Sequence, residues 1–246
     1  MEYKIPTQES KMKKLLPLTN EQRYRLGLVS LMGMASVISL IIFAARVQKT
    51  DSFNYSFLVW NLFLAWIPLG MSYLASTARN LPRLLKVIII LISSLLWLAF
   101  LPNAPYIMTD FQHLSRWEDK ASPVWYDVLM LAWFAWNGLF LGIISLFMMQ
   151  QIVNKLSNRL VGWIFVVLVC GLSSFGIYLG RFLRWNSWDI LHNPSPLVSD
   201  IFDRITSPQS DPRAVTFTFI FSLFFLFIYL TMVMFGGLVA AKSQSN

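Results

Sequence analysis

Residues 160–189 read LVGWIFVVLVCGLSSFGIYLGRFLRWNSWD. From Leu160 to Gly180 there is no charge, and then Arg181, Arg184 and Asp189 follow within nine positions. An apolar run of that length matches the ~20 residues a helix needs to cross a ~30 Å hydrocarbon core. Five further stretches have the same character: about Leu26–Ala45, Tyr55–Ala75, Leu84–Leu101, Pro123–Met149 and Pro212–Ala241. The expected fold is therefore all-α: a polytopic membrane protein of six transmembrane helices. The first stretch is too long for a signal-peptide core of ~7–15 residues and is read as retained.

Composition agrees. Of 246 residues 56% are hydrophobic and 13% charged, with a mean hydropathy of +0.57. Soluble domains average about 25% charged. The balance of +8 would suggest nucleic acid in a soluble protein, but here the basic residues are read as topology. The expected partner is the lipid bilayer, with no nucleic acid. Placing the N-terminus inside puts twelve Lys and Arg on the inner side and eight outside, six of the twelve ahead of the first span. Both termini are then cytoplasmic. This divides the chain into a basic tail (1–25), a membrane domain (26–241) and a short C-terminal tail (242–246). A single cysteine, Cys170, excludes an intrachain disulfide.

The inner connections are short and the two long ones, Pro102–Ser122 and Arg181–Asp211, fall outside. In the first, Pro102 and Pro105 are expected to end the third span. Thr109 and Gln112 fit a capping box opening a short interfacial helix through Trp117, with Phe111, Leu114 and Trp117 at every third position. Ser122-Pro123 reads as the N-cap and first residue of the fourth span. In the second, helical spacing continues through Arg181, Trp185, Trp188 and His192, and Asn193-Pro194 is the first stop. Leu197, Val198, Ile201, Phe202 and Ile205 then form the stripe of a second interfacial helix, and Asp211-Pro212 caps the last span.

Two outer Asp-x-x-His pairs, Asp110/His113 and Asp189/His192, each place a carboxylate beside an imidazole. Brought face to face they could bind a zinc-type divalent metal; singly, they could serve acid–base chemistry or merely cap, pair and solvate. Arg181 and Arg184 stand where basic residues need a partner. Asp110, Asp127 and Asp189 are available, or an anionic ligand such as a lipid phosphate. Trp117, Trp125, Tyr126, Trp185 and Trp188 suit an interfacial belt or the wall of a pocket. Asn61 and Asn137 should bond between helices; Gly176/Gly180 and Gly236-Gly237 should permit close helix approach. There is no P-loop, H-E-x-x-H or G-x-S-x-G motif. No span carries a central acid, which counts against a proton-coupled transporter.

Leu101–Leu114 (LPNAPYIMTDFQHL), Trp125-Tyr126-Asp127 and Gly176–Asp189 (GIYLGRFLRWNSWD) resemble the domain-of-unknown-function 1361 family. The resemblance runs from about the second span to the last. It implies a multi-pass protein of the bacterial plasma membrane and supplies no reaction. His192 lies beyond the second motif, leaving Asp110, His113, Arg181, Arg184, Asn186 and Asp189 as the firmer set. The leading functional expectation is an outward-facing polar site that binds or modifies an anionic lipid or another envelope component. Arg181 and Arg184 would grip the anion, Asp110, His113 and Asp189 would act as acid, base or metal ligand, and Asn103, Tyr106, Trp185, Asn186 and Trp188 would line the site. A small-solute transporter or channel component and a non-catalytic scaffold are the alternatives. Oligomeric state is not legible.

Overall fold

The computed structural model describes residues 20–78, 81–115 and 122–244. The expected basic tail to residue 19, Trp117 and the last two residues lie outside them. The described residues are mostly helical, with no strand among them. Six helices are long and apolar enough to cross a membrane. They are α1 (Asn20–Thr50), α2 (Phe57–Thr77), α3 (Arg83–Phe100), α5 (Val124–Leu156), α6 (Arg159–Phe182) and α9 (Pro212–Gln244). Shorter elements fill the two long connections: α4 (Asn103–Tyr106), a 3-10 helix (Ile107–Ser115), α7 (Asp189–His192), α8 (Pro194–Thr206) and a 3-10 turn (Pro208–Ser210). The chain is a multi-pass membrane protein, as its hydropathy predicted.

α5 is the central helix. It packs against α1, α2 and α6, while α9 closes the bundle against α6. Between apolar helices in lipid there is little hydrophobic drive to associate, so close packing and polar contacts hold them. Both are present. Asn137 of α5 and Trp66 of α2 donate to Ser36 Oγ of α1 at 2.9 and 3.0 Å. Trp97, fully buried, donates to Ser145 at 3.2 Å.

The first long connection departs from the expected interfacial loop. α3 does end at Phe100, just before Pro102, as expected, but short helical elements follow at once. Pro102 sits at the start of α4, where its missing N–H has no partner to lose. Pro105 would ordinarily leave the Leu101 carbonyl unfilled, but the Ala104 N–H takes it at 3.1 Å. The segment folds inward between α2 and α5, and Leu101, Ala104 and Ile107 have no exposed surface. Glycines make its seat. A Cβ on Gly138 would lie 2.6 Å from the Ala104 carbonyl oxygen, and one on Gly176 would lie 2.7 Å from Pro102 Cγ. Gly176 and Gly180 thus admit this segment, whereas Gly236 and Gly237 face open space and mediate no close approach.

Three expected caps are corrected. Thr109 starts no α-helix: its hydroxyl donates to the Tyr106 carbonyl at 2.7 Å within the 3-10 turn. Ser122 donates to Asp127 at 3.0 Å instead of capping, and α5 begins at Val124. α6 stops at Phe182, not at Asn193. Arg184 adopts a left-handed backbone (φ 63°), and the Trp185 N–H turns back to the Leu179 carbonyl at 3.2 Å. Asp211 does stand at the start of α9, accepting from the Arg213 N–H at 3.2 Å.

Candidate functional site

The inward fold of residues 102–115 and the reversal at Arg184 bring the two long motif stretches together at one end of the bundle. Asn103 joins them directly: its side-chain amide donates to the Phe100 carbonyl at 3.0 Å and to Ser187 Oγ at 2.9 Å. Between them lies a cleft of about 220 Å³. Aromatic and polar side chains (Trp60, Asn61, Asn103, Tyr106, Trp185, Asn186, Ser187, Trp188) and aliphatic ones (Leu64, Ala99, Leu197, Ile201) line it together. Five of the residues read from the sequence as ligand-binding (Asn103, Tyr106, Trp185, Asn186, Trp188) line it. Trp60 and Asn61, from α2, complete it; Trp60 meets Trp188 edge-on with ring centroids 6.3 Å apart.

The charged residues stand behind this lining rather than in it. Asp110 is buried and forms an ion pair with Arg181. Its second oxygen accepts from Asn61 Nδ2 at 3.0 Å. Arg181 also donates to Thr109 Oγ1 at 2.8 Å and to His113 Nε2 at 3.2 Å, and lies 4.1 Å from the centre of the Tyr106 ring. Guanidinium can only donate, so His113 is the acceptor, through Nε2. Its ring packs on Phe57 at 4.8 Å. Arg181 therefore spends its donors inside the protein, on Asp110 among the three aspartates considered.

The second stretch repeats the arrangement. Trp185 Nε1 donates to Asp200 of α8 at 2.8 Å. Asp189 accepts from the Asn186 backbone N–H at 2.7 Å and from its side chain at 3.3 Å. So Asn61, Tyr106, Trp185 and Asn186 each contact a charged group that does not line the cleft, which leaves the lining itself uncharged.

Two predicted residues stand apart. Arg184 is exposed and has no ion pair among the described residues. His192 is exposed, its Nδ1 lying 3.1 Å from the Trp188 carbonyl. The two Asp–His pairs do not converge: one is buried on Arg181 and the other sits on the surface. No group of three potential metal ligands exists among the described residues. The Asp110 and His113 atoms that a metal ion would use are both bonded to Arg181.

One polar feature escaped the sequence. Arg46 of α1, fully buried, donates to Asp127 of α5 at 2.8 Å and lies over the Tyr55 ring at 4.5 Å. Asp127 was considered as a partner for Arg181 or Arg184. The nearest signal was that Arg46 ends an apolar span facing Asp127 at the start of another on the same side.

The family model described as a protein of unknown function (DUF1361) matches residues 60–232. That interval contains both motif stretches and every residue of the cleft. No curated protein and no solved structure matches the chain.

Proposed function

We propose, for a chain that belongs to the DUF1361 family, that its cleft holds the head group of an amphipathic lipid or lipid-linked envelope component. The observation that carries this is the mixed lining: aromatic and amide side chains together with aliphatic ones around one cleft. Sites that enclose a whole small molecule measure roughly 300–1,000 Å³. At about 220 Å³ this one suits a head group, leaving the chains outside. Leu91 and Leu95, both exposed, continue down α3 from Ala99 at four-residue steps and offer the chains an apolar track.

In this reading Asp110, His113, Arg181 and Asp189 are positioning residues. Arg184, exposed and next to the cleft residue Trp185, is the cation that meets a lipid phosphate at the mouth. The excess of Lys and Arg on the N-terminal side orients both termini to the cytoplasm and the cleft to the outer face of a bacterial plasma membrane. α8 lies along that face with Val198, Phe202 and Ile205 toward lipid, a role favoured by their exposure.

The test is mass spectrometry of lipids retained by purified full-length protein. Trp188→Ala should lose the retained lipid while its thermal unfolding midpoint stays near that of the wild type. Wild-type protein carrying no lipid, or a Trp188→Ala variant retaining it fully, would refute the proposal. One observation favours a scaffold role instead: the buried Asp110–Arg181 pair clasps the two motif stretches. That role requires a Trp188→Ala variant with unaltered cellular function.

A further inference from the structure

The hydrogen-bonding sense of the cleft narrows its ligand, and this deepening rests on the lipid reading above. Three amides line the cleft, and the protein sets the direction of each. Asn61 turns Nδ2 to the Asp110 carboxylate. Asn103 turns Nδ2 to the Phe100 carbonyl and Ser187. Asn186 turns Nδ2 to the Asp189 carboxylate. A carboxylate or a backbone carbonyl can only accept, so the amide nitrogen must face it and the amide oxygen must face the other way. No described residue donates a hydrogen bond to the Oδ1 of Asn61, Asn103 or Asn186. The cleft thus offers amide carbonyl acceptors beside the neutral donors of Trp60, Tyr106, Ser187 and Trp188, and no charged side chain in its lining.

Such a surface holds no counter-charge for a phosphate or carboxylate, whose burial there would go unpaired. It is also a poor seat for an ammonium group. No carboxylate lines it, and the Arg181 guanidinium beneath the Tyr106 ring occupies one aromatic face with positive charge. Hydroxyl groups match it: each donates, and the C–H faces of a polyol pack on aromatic rings. We infer that the head group entering the cleft is an uncharged polyol, a sugar or glycerol, with any phosphate kept at the mouth.

The experiment uses full-length protein in phosphatidylcholine nanodiscs. These are doped in turn with glucosyl-diacylglycerol, phosphatidylglycerol, phosphatidylethanolamine or phosphatidic acid. Native mass spectrometry reads the retained lipid. Glucosyl-diacylglycerol and phosphatidylglycerol should be retained at least tenfold over phosphatidylcholine and phosphatidic acid. Asn186→Ala, which keeps the backbone bond to Asp189, should lower that preference several-fold without shifting the unfolding midpoint. Phosphatidic acid retained as well as phosphatidylglycerol, or phosphatidylethanolamine retained best, would overturn the polyol assignment while leaving a lipid site in place. Retention of none of these lipids would overturn both.

Discussion

Arg181 and Asp110, 71 positions apart in the chain, form a buried ion pair that locks the end of α6 to the inward-folded segment after α3. Asn61, Thr109, His113 and Tyr106 complete its surroundings. Removing one member of such a pair leaves an uncompensated buried charge, at a cost of about 3–5 kcal/mol. Arg181→Ala and Asp110→Ala should each lower the thermal midpoint sharply. The double variant should be less destabilised than the sum of the two, because no charge is then stranded. Additive losses in a double-mutant cycle would show that the pair is not coupled.

The pair also explains what could be read in advance. Six spans were legible because each is a long, mostly apolar run, of the length a helix needs to cross lipid with its backbone satisfied. The convergence of two distant motifs was legible as chemistry, since Arg181 needed an acid. Which acid it takes is a matter of space, and Arg46 claims Asp127 first. The inward turn was hidden because Pro102 and Pro105 are read locally as stops. The glycines that admit the segment, Gly138 among them, lie in other helices. The end of α6 was hidden because Arg184 does what glycine ordinarily does.

Gly138 tests the seat of the inward segment. A methyl group there would press on the backbone oxygen of Ala104 at 2.6 Å and on Ile107 Cδ1 at 2.7 Å. Backbone cannot step aside as a side-chain end can, and overpacking costs about 1–3 kcal/mol. Gly138→Ala should destabilise by that order, and Gly236→Ala, in open space, should change the midpoint little. Equal midpoints for the two variants would contradict the packing described.

The Arg46–Asp127 pair should behave as a second, independent clasp. Asp127 accepts from both Arg46 and Ser122. Ser122→Ala removes one neutral donor and should cost roughly 1 kcal/mol, while Asp127→Ala strands the guanidinium and should cost about 3–5 kcal/mol. Combined with Arg181→Ala, the Asp127→Ala loss should add, since the two pairs join different segments of the chain. The readout is denaturation in one detergent at fixed protein concentration.

At the base of α8, acid should loosen a tether. Tyr178 donates to Asp211, and Arg204 lies 3.6 Å from the same carboxylate. The Tyr178 hydrogen bond, foremost, holds the Asp211 carboxyl below its ordinary pKa, with the Arg204 charge adding a smaller push. A depressed carboxyl stabilises the fold above its unfolded pKa, near 4, and that contribution is lost as pH falls through the lower folded value. Protease access to the Ser207–Ser210 turn should therefore rise below about pH 4. In Asp211→Asn it should be raised already at neutral pH and lose this acid dependence. A wild-type cleavage profile flat to pH 3 would remove the tether from the account.

Arg184 separates backbone from charge. A non-glycine residue in the left-handed region costs roughly 1–2 kcal/mol, and Arg184 sits there at φ 63°. Arg184→Gly should therefore unfold at a temperature equal to or above that of the wild type, since it loses no ion pair among the described residues. If the guanidinium meets a lipid phosphate, the same variant should retain less phosphatidylglycerol while holding glucosyl-diacylglycerol as before, because the latter has no phosphate to lose. Arg184→Lys keeps the charge and the strained backbone, and should restore most of the phosphatidylglycerol. A glycine variant more stable than the wild type with both lipids unchanged would mean that the arginine serves neither lipid, and that its unusual backbone merely ends α6.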